Sequence, residues 1–98
     1  MTIKQILKDL ESAKRPIAKV LQSGTNFKVI AIGFIKNMIL DDHKTDISAK
    51  LVVLEGKVVY KEGDKMVMLS QYEETPIPAG VIHSVTALED SICLVIKG

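Results

Sequence analysis

The sequence predicts an all-β sandwich or barrel with one short α-helix at its start. After about residue 18, short runs rich in Val and Ile follow one another and are separated by polar or Gly-containing turns. Turns at intervals of roughly 8–12 residues are typical of all-β proteins, whereas alternating strands and helices would indicate a parallel sheet. The length of 98 residues and a hydrophobic content of 47% are those of one folded domain spanning residues 1–98.

The first segment, residues 1–16, is predicted to form this helix. Thr2 followed by Gln5 fits a capping box, and Pro16 provides a stop. Apolar residues recur at the spacing of one helical face: Ile3, Ile6, Leu7 and Leu10. A helix this short is not stable alone in water, so its apolar face is expected to pack against the outside of a sheet.

The predicted strands are often apolar at consecutive positions, as in "LVVL", "KVVY", "MVML" and "CLVI". Such runs indicate strands covered on both faces, because a sheet with one solvated face alternates between apolar and polar residues. One short helix cannot cover every outer face. We therefore predict a homodimer that buries strand faces or edges. The alternative is that a small protein leaves some Val and Ile exposed.

The charges and the single cysteine exclude several classes of protein. The 13 basic and 12 acidic residues are interspersed, which disfavours nucleic acid as a partner. No apolar run approaches the roughly 18 residues of a membrane span, so no membrane partner is predicted and a cytoplasmic location is expected. Cys93 is the only cysteine, so no intramolecular disulfide can form.

Two histidine-containing stretches stand out among the predicted strands. They are "HKTDISAKLVVLEG" (His43–Gly56) and "PAGVIHSV" (Pro78–Val85). In this order and separation they resemble the two motifs of the cupin family, H-x-H-x-x-x-E-x6-G and P-x-G-x-x-H-x-x-x-N. The resemblance covers residues 24–96 and implies a double-stranded β-helix, that is, a jelly-roll barrel. Gly56 and Gly80 are expected at sharp turns.

The resemblance also implies where a metal would lie. Cupins that hold a divalent metal use three histidines and one glutamate. Carried over by position, His43 and His83 remain, whereas Thr45 replaces the second histidine and Ala49 the glutamate; Ala87 stands where asparagine is usual. A threonine hydroxyl is a poor ligand for a transition metal and alanine offers none. We therefore predict no cofactor; the alternative is a divalent Zn, Ni, Fe or Mn held weakly by the two histidines.

The same positions are predicted to line a pocket for a small organic ligand inside the barrel. Strand side chains alternate between faces, so if His83 points inward, Val85 and Ala87 do too. Imidazoles among apolar walls can orient a ligand, or each can be hydrogen-bonded locally with no further role. The predicted pocket residues are His43, Thr45, Ala49, His83 and Met38, the last with core packing as its alternative.

Three functions follow from these expectations. The first is a small-molecule-binding cupin with a degenerate metal site and no catalysis. The second is a cupin enzyme of the dioxygenase, isomerase or decarboxylase type, in which His43 and His83 act with a weakly held metal or as acid and base. The third is a ligand-sensing or interaction module that acts with a partner protein. The sequence leaves open whether the chain is an enzyme, since a fold does not fix a function.

Overall fold

The computed structural model describes residues 1–98 and contains one helix and nine strands. The elements are α1 (Thr2–Leu10), β1 (Ile17–Ser23), β2 (Lys28–Phe34), β3 (Ile39–His43), β4 (Ala49–Glu55), β5 (Val58–Glu62), β6 (Lys65–Leu69), β7 (Glu74–Ile77), β8 (His83–Ala87) and β9 (Ser91–Lys97). The predicted all-β class with one N-terminal helix is confirmed.

The strands form two antiparallel sheets that face each other. The five-stranded sheet has the order β1-β2-β9-β4-β7, and the four-stranded sheet has the order β3-β8-β5-β6. Between them lies a core of 12 buried residues contributed by both sheets. This is the double-sheet arrangement of a jelly roll, in which the inner faces of the two sheets supply one common core.

Side-chain alternation decides which residues enter this core. On β4, Leu51 and Val53 are buried, and on β8, Val85 and Ala87 are buried next to His83. The predicted sharing of one inward face by these β8 residues is confirmed. Each fully buried Leu or Val contributes about 1.5–3 kcal/mol relative to an exposed one, so these strands hold the barrel together.

The helix packs on the outer face of the five-stranded sheet, as predicted. Ile6 and Leu10 form a second buried cluster with Ala31 and Ile92. The helix approaches the sheet closely at Gly33, where an added Cβ would overlap the Ile6 side chain. A glycine on β2 is therefore required for the helix to lie flat on the sheet.

The ends of the helix differ from the sequence prediction. The capping box expected between Thr2 and Gln5 is wrong, because Met1 is the cap residue and makes no side-chain hydrogen bond there. Gln5 Nε2 instead donates to Asp9 Oδ1 at 2.8 Å. The helix ends at Leu10, before the predicted boundary. It is far too short to cross a membrane, and no other helix is present.

The first strand lies outside the predicted barrel boundaries. β1 (Ile17–Ser23) pairs along its length with β2, so the sheets begin before residue 24. The expected sharp turns are confirmed, with a φ of +89° at Gly56 and +75° at Gly80. At Gly56 an added Cβ would also collide with the Asp90 carbonyl, so the turn into β5 depends on glycine.

Candidate functional site

The two ends of the barrel differ in the side chains that point inward. On paired strands β5 and β8, Val58 lies opposite Ala87 at one end and Glu62 lies opposite His83 at the other. We call the first end the closed end and the second the mouth. β9 ends at the mouth with Lys97. Alternate residues of β9, Cys93 and Val95, point into the core, and Lys97 is the next position in that series.

His43 and His83 face each other at the mouth. They are directly paired residues of β3 and β8, and their ring centroids lie 4.2 Å apart with planes inclined by 58°. Side chains at directly opposed positions of antiparallel strands point to the same face. A register shift between Leu40 and His43 brings the latter opposite its partner. The structure thus brings together the two histidines that the motifs singled out.

Both imidazoles are fixed by the backbone in the same way. His43 Nδ1 lies 2.9 Å from the Asp41 carbonyl, and His83 Nδ1 lies 3.1 Å from the Val81 carbonyl. A carbonyl only accepts, so each Nδ1 carries the hydrogen, and each neutral ring keeps Nε2 as an acceptor. No buried polar side-chain atom lacks a hydrogen-bond partner. His83 Nε2, which has no partner within the chain, therefore reaches accessible space.

The environment of His83 favours its neutral form. Burial lowers the pKa of His83 below its ordinary value of 6.5. The hydrogen bond to the Val81 carbonyl and the Glu62 carboxylate oppose this shift, and the charges of His43 and Lys97 add to it. At neutral pH the ring therefore offers an uncharged acceptor at the mouth.

Tyr60 packs against the imidazole of His83. Its ring stacks on the imidazole with centroids 5.7 Å apart, and its hydroxyl donates to Glu62 Oε1 at 2.8 Å. Burial and the neighbouring Glu62 carboxylate raise the pKa of Tyr60 well above its usual value. The phenol thus stays protonated and holds the carboxylate in place. Deeper in the core, burial raises the pKa of the Cys93 thiol to about 12, which makes it an inert packing residue.

Lys97 occupies the opposite side of the mouth. It pairs with Ala49 across β9 and β4 and shares the inward face of Cys93 and Val95. Sequence reasoning missed Lys97 and Glu62 as site residues. The series Cys93, Val95 and Lys97 was a signal that could have identified Lys97 as a site residue, because inward-facing residues of a strand recur at every second position.

Thr45 and Ala49, two further predicted pocket residues, lie near the mouth, but neither has a side-chain atom that is free to bind a metal or a ligand. Thr45 is buried in the loop between β3 and β4, and its Oγ1 donates to the Ile47 carbonyl at 2.7 Å. Ala49 begins β4 and packs against the main core.

Met38 is not brought to the histidines. Its carbonyl accepts a hydrogen bond of 2.9 Å from the amide of Ala87, at the closed end. Ala87 and His83 are four residues apart on one strand, about 13 Å at the usual rise per residue. The side chain packs against both hydrophobic clusters, so Met38 has the alternative role of core packing.

The side chains present do not fit a resident transition metal. No group of three or more His, Cys, Asp or Glu side chains converges anywhere in the chain. The Thr45 hydroxyl is bonded within its own loop, and Ala49 is paired with the cationic residue Lys97 across β4 and β9. Metal sites of this kind need three or four converging nitrogen, oxygen or sulfur ligands, and a neighbouring cation opposes binding further.

The cavities of the structure lie beside the histidines, not around them. The structure has three cavities, and neither His43 nor His83 lines any of them. One of about 280 Å³ lies between α1 and the closed end, and one of about 410 Å³ lies by Pro76 on β7. The third, of about 390 Å³, is bounded by the β1–β2 turn, Asp46–Ile47 and Lys97. We call this third cavity the mouth cleft.

Comparison with known proteins identifies the fold. No family model and no curated protein matches the sequence. Among solved structures, a cupin superfamily protein from Desulfitobacterium hafniense DCB-2 superposes with a TM-score of 0.79 at 17% identity, covering 94% of this chain and 86% of that one. An RmlC-like cupin from Desulfovibrio desulfuricans gives 0.76 at 23% identity, with coverages of 86% and 83%. A cupin-2 domain containing protein from Shewanella frigidimarina NCIMB 400 gives 0.74 at 20%, with coverages of 92% and 87%. The chain therefore has the cupin fold that its two motifs predicted.

Proposed function

We propose that the chain binds a small organic molecule at the mouth of the barrel, without a resident metal and without catalysis of its own. The observation that carries this proposal is the pair of opposed imidazoles, His43 and His83, at 4.2 Å. Both rings are held by backbone hydrogen bonds through Nδ1, so both Nε2 atoms remain free to accept one from a ligand.

The arrangement matches what a binding site for a small organic ligand requires. Such sites combine apolar walls with a few polar groups held in fixed orientations. Phe27 and Ile47, both exposed, supply the apolar surface of the mouth cleft. The backbone hydrogen bonds of the two imidazoles reduce the entropy that the rings would lose on binding. Lys97 links the histidines to the mouth cleft, because it lines that cleft and also lowers the pKa of His83. The ligand is proposed to occupy the cleft and extend towards the imidazoles.

Elemental analysis tests the metal-independent part of the proposal. The protein is purified without chelators and then dialysed, and its transition-metal content is measured per chain. We expect far less than one equivalent, because two imidazoles without a third protein ligand bind such ions weakly. One equivalent of Zn, Ni, Fe or Mn retained through dialysis would overturn this part.

Imidazole NMR tests the binding role of the two histidines. The chain contains only two His, so its imidazole resonances are assigned by comparing the wild type with His43→Gln and His83→Gln. We expect members of a panel of small organic acids, sugars and amines to shift the Nε2 resonances of both rings. Each variant should weaken binding, whereas the exposed Tyr72→Phe should not. A panel that leaves both imidazoles unmoved would contradict the proposal. Turnover that depends on both histidines would replace binding with the enzyme alternative.

The homodimer is the second part of the proposal. The outer face of the four-stranded sheet carries no helix, and Ile39, Met66 and Met68 on it are exposed by 50%, 64% and 60%. We propose that a second copy of the chain packs on this face, as the consecutive apolar residues of the strands predict. Sedimentation equilibrium should give twice the chain mass, and Met68→Lys should shift the equilibrium to the monomer. A wild-type monomer at high protein concentration would contradict this.

A further inference from the structure

We infer that the ligand of the mouth carries an oxyanion group, carboxylate or phosphate, and that Lys28 and Lys97 bind this group in the mouth cleft. This inference rests on the proposed binding function and names the chemical class of the ligand. It starts from the pairing of strands β2 and β9, where the two lysines lie directly opposite each other.

The placement of the two lysines is unfavourable for the chain alone. Directly opposed residues of antiparallel strands project to the same face with Cβ atoms about 4.5–5.5 Å apart, and like charges there destabilise the sheet. Lys28 is exposed and Lys97 is half-buried, so solvent screens the second ammonium only in part. A bound anion between them would turn this repulsion into two attractive interactions.

Neither lysine forms an ion pair with an acidic side chain of the protein. The ion pairs of the structure are Lys19 with Asp9 and Lys50 with Glu74, and neither involves Lys28 or Lys97. Glu62, the carboxylate beside His83, accepts the hydrogen bond of the Tyr60 hydroxyl. A local conflict that the fold leaves uncompensated is characteristic of functional sites.

The mouth cleft provides a space next to these charges. Its volume of about 390 Å³ is within the range of small-ligand sites, and both lysines line it. The β1–β2 turn adds the side chains of Thr25 and Asn26, which can donate hydrogen bonds to an anion. Asp46 is the one acidic residue in the lining, so the cleft carries an excess of positive charge. An anion, not a cation, is the complementary ligand.

Binding of defined anions to lysine variants tests the inference. Citrate, inorganic phosphate and neutral glycerol are added separately at low ionic strength, and the melting temperature, backbone amide shifts and dissociation constants are measured. We expect citrate or phosphate to raise the melting temperature of the wild type and to shift the amides of the β1–β2 turn. Lys28→Gln and Lys97→Gln should each raise the dissociation constant about tenfold or more. Lys14→Gln, which removes an exposed lysine between α1 and β1, is the matched control and should bind as the wild type does.

The arms of this experiment separate the possible failures. A response to citrate alone identifies a carboxylate ligand, and a response to phosphate alone identifies a phosphate ligand. The inference is overturned if neither anion binds the wild type, or if both lysine variants bind as well as Lys14→Gln does. If neutral compounds move the imidazole resonances while anions do not, the inference fails and the proposed function stands. If anions bind through the lysines and the imidazoles do not respond, the lysine site stands and the proposed role of the histidines fails.

Discussion

The closed end and the mouth of the barrel are built on the same strands but from opposite kinds of side chain. On β5 and β8 the inward pair is Val58 and Ala87 at the closed end, both fully buried, and Glu62 and His83 at the mouth. The backbone pairing continues unchanged from one end to the other. The difference shows that the sheets set the positions, while side-chain chemistry decides which end is filled with apolar groups and which carries polar ones.

This difference also separates the residues that stabilise the fold from the residues proposed to bind a ligand. Apolar groups at the closed end stabilise the fold through removal from water, in proportion to their buried area. Polar groups at the mouth contribute little of this kind and must be kept in place by specific bonds, such as that between Tyr60 and Glu62. Substitutions at the closed end should therefore change stability, and substitutions at the mouth should change binding.

The largest expected effect comes from the two phenylalanines, one at each end. Phe34 is 1% exposed at the closed end, whereas Phe27 is 43% exposed and lines the mouth cleft. Phe34→Ala should lower the free energy of unfolding by about 3–5 kcal/mol, because it leaves a cavity in the core. Phe27→Ala should lower it by about 1 kcal/mol or less. Urea denaturation of both variants measures this, and equal losses would remove the distinction between the ends.

Tyr60→Phe tests the hydrogen bond that holds the Glu62 carboxylate at the mouth. The variant keeps the buried ring and removes only the hydrogen bond to Glu62 Oε1. We expect a loss of about 1.5–3 kcal/mol in the free energy of unfolding, since the acceptor is a charged group. Tyr72→Phe is the matched control, because Tyr72 is 77% exposed and should lose almost nothing. Indistinguishable stabilities of the two variants would mean that this bond does not hold the mouth together.

The pH dependence of stability isolates His83 at the mouth. Its folded pKa is lowered mainly by burial, so the unfolded chain takes up a proton first as the pH falls below about 6.5. The contribution of neutral His83 to stability is therefore complete above that pH and is lost as the pH falls through the folded pKa. Urea midpoints measured across this range should decline for the wild type, and His83→Gln should flatten this part of the profile. A profile unchanged by the substitution would contradict the assignment.

Lys97→Gln provides a spectroscopic check on the same ring. Lys97 lowers the pKa of His83, so removing its charge should raise that pKa. NMR titration of the imidazole gives the midpoint directly. Lys14→Gln, which removes an exposed charge between α1 and β1, should leave the midpoint where it is. A titration that Lys97→Gln does not move would place the ammonium too far from the mouth to act on His83.

The sequence predicted the closed end far better than the mouth. The strands follow from short apolar runs between turn signals, and side-chain alternation along them then places Leu51, Val53 and Val85 in the core. The opposition of His43 and His83 needed the motif spacing, because a register shift in β3 breaks the simple alternation there.

The charged residues of the mouth could not be predicted in this way. A charged residue at the end of a strand usually lies in solvent, so Glu62 and Lys97 read as surface residues. Alternation along β5 and β9 can place both on the inward face, but their position at one end of the barrel becomes apparent only when the pairing of β5 with β8 and of β9 with β4 is known. Non-local pairing, which sequence patterns do not determine, assembled this part of the site.

The smallest expected effect has the opposite sign from the others. Lys28→Gln removes one of two like charges that face each other across β2 and β9, and it breaks no ion pair. Without added anion, the free energy of unfolding should therefore rise by about 0.2–1 kcal/mol, the size of a cross-strand pair interaction. Lys14→Gln should leave it unchanged, and the gain should shrink at high salt, since salt screens exposed charges. A destabilised Lys28→Gln would mean that this lysine already has a favourable partner within the chain. The mouth would then be a satisfied part of the fold, as the closed end is, and the repulsion that favours an anionic ligand would not exist.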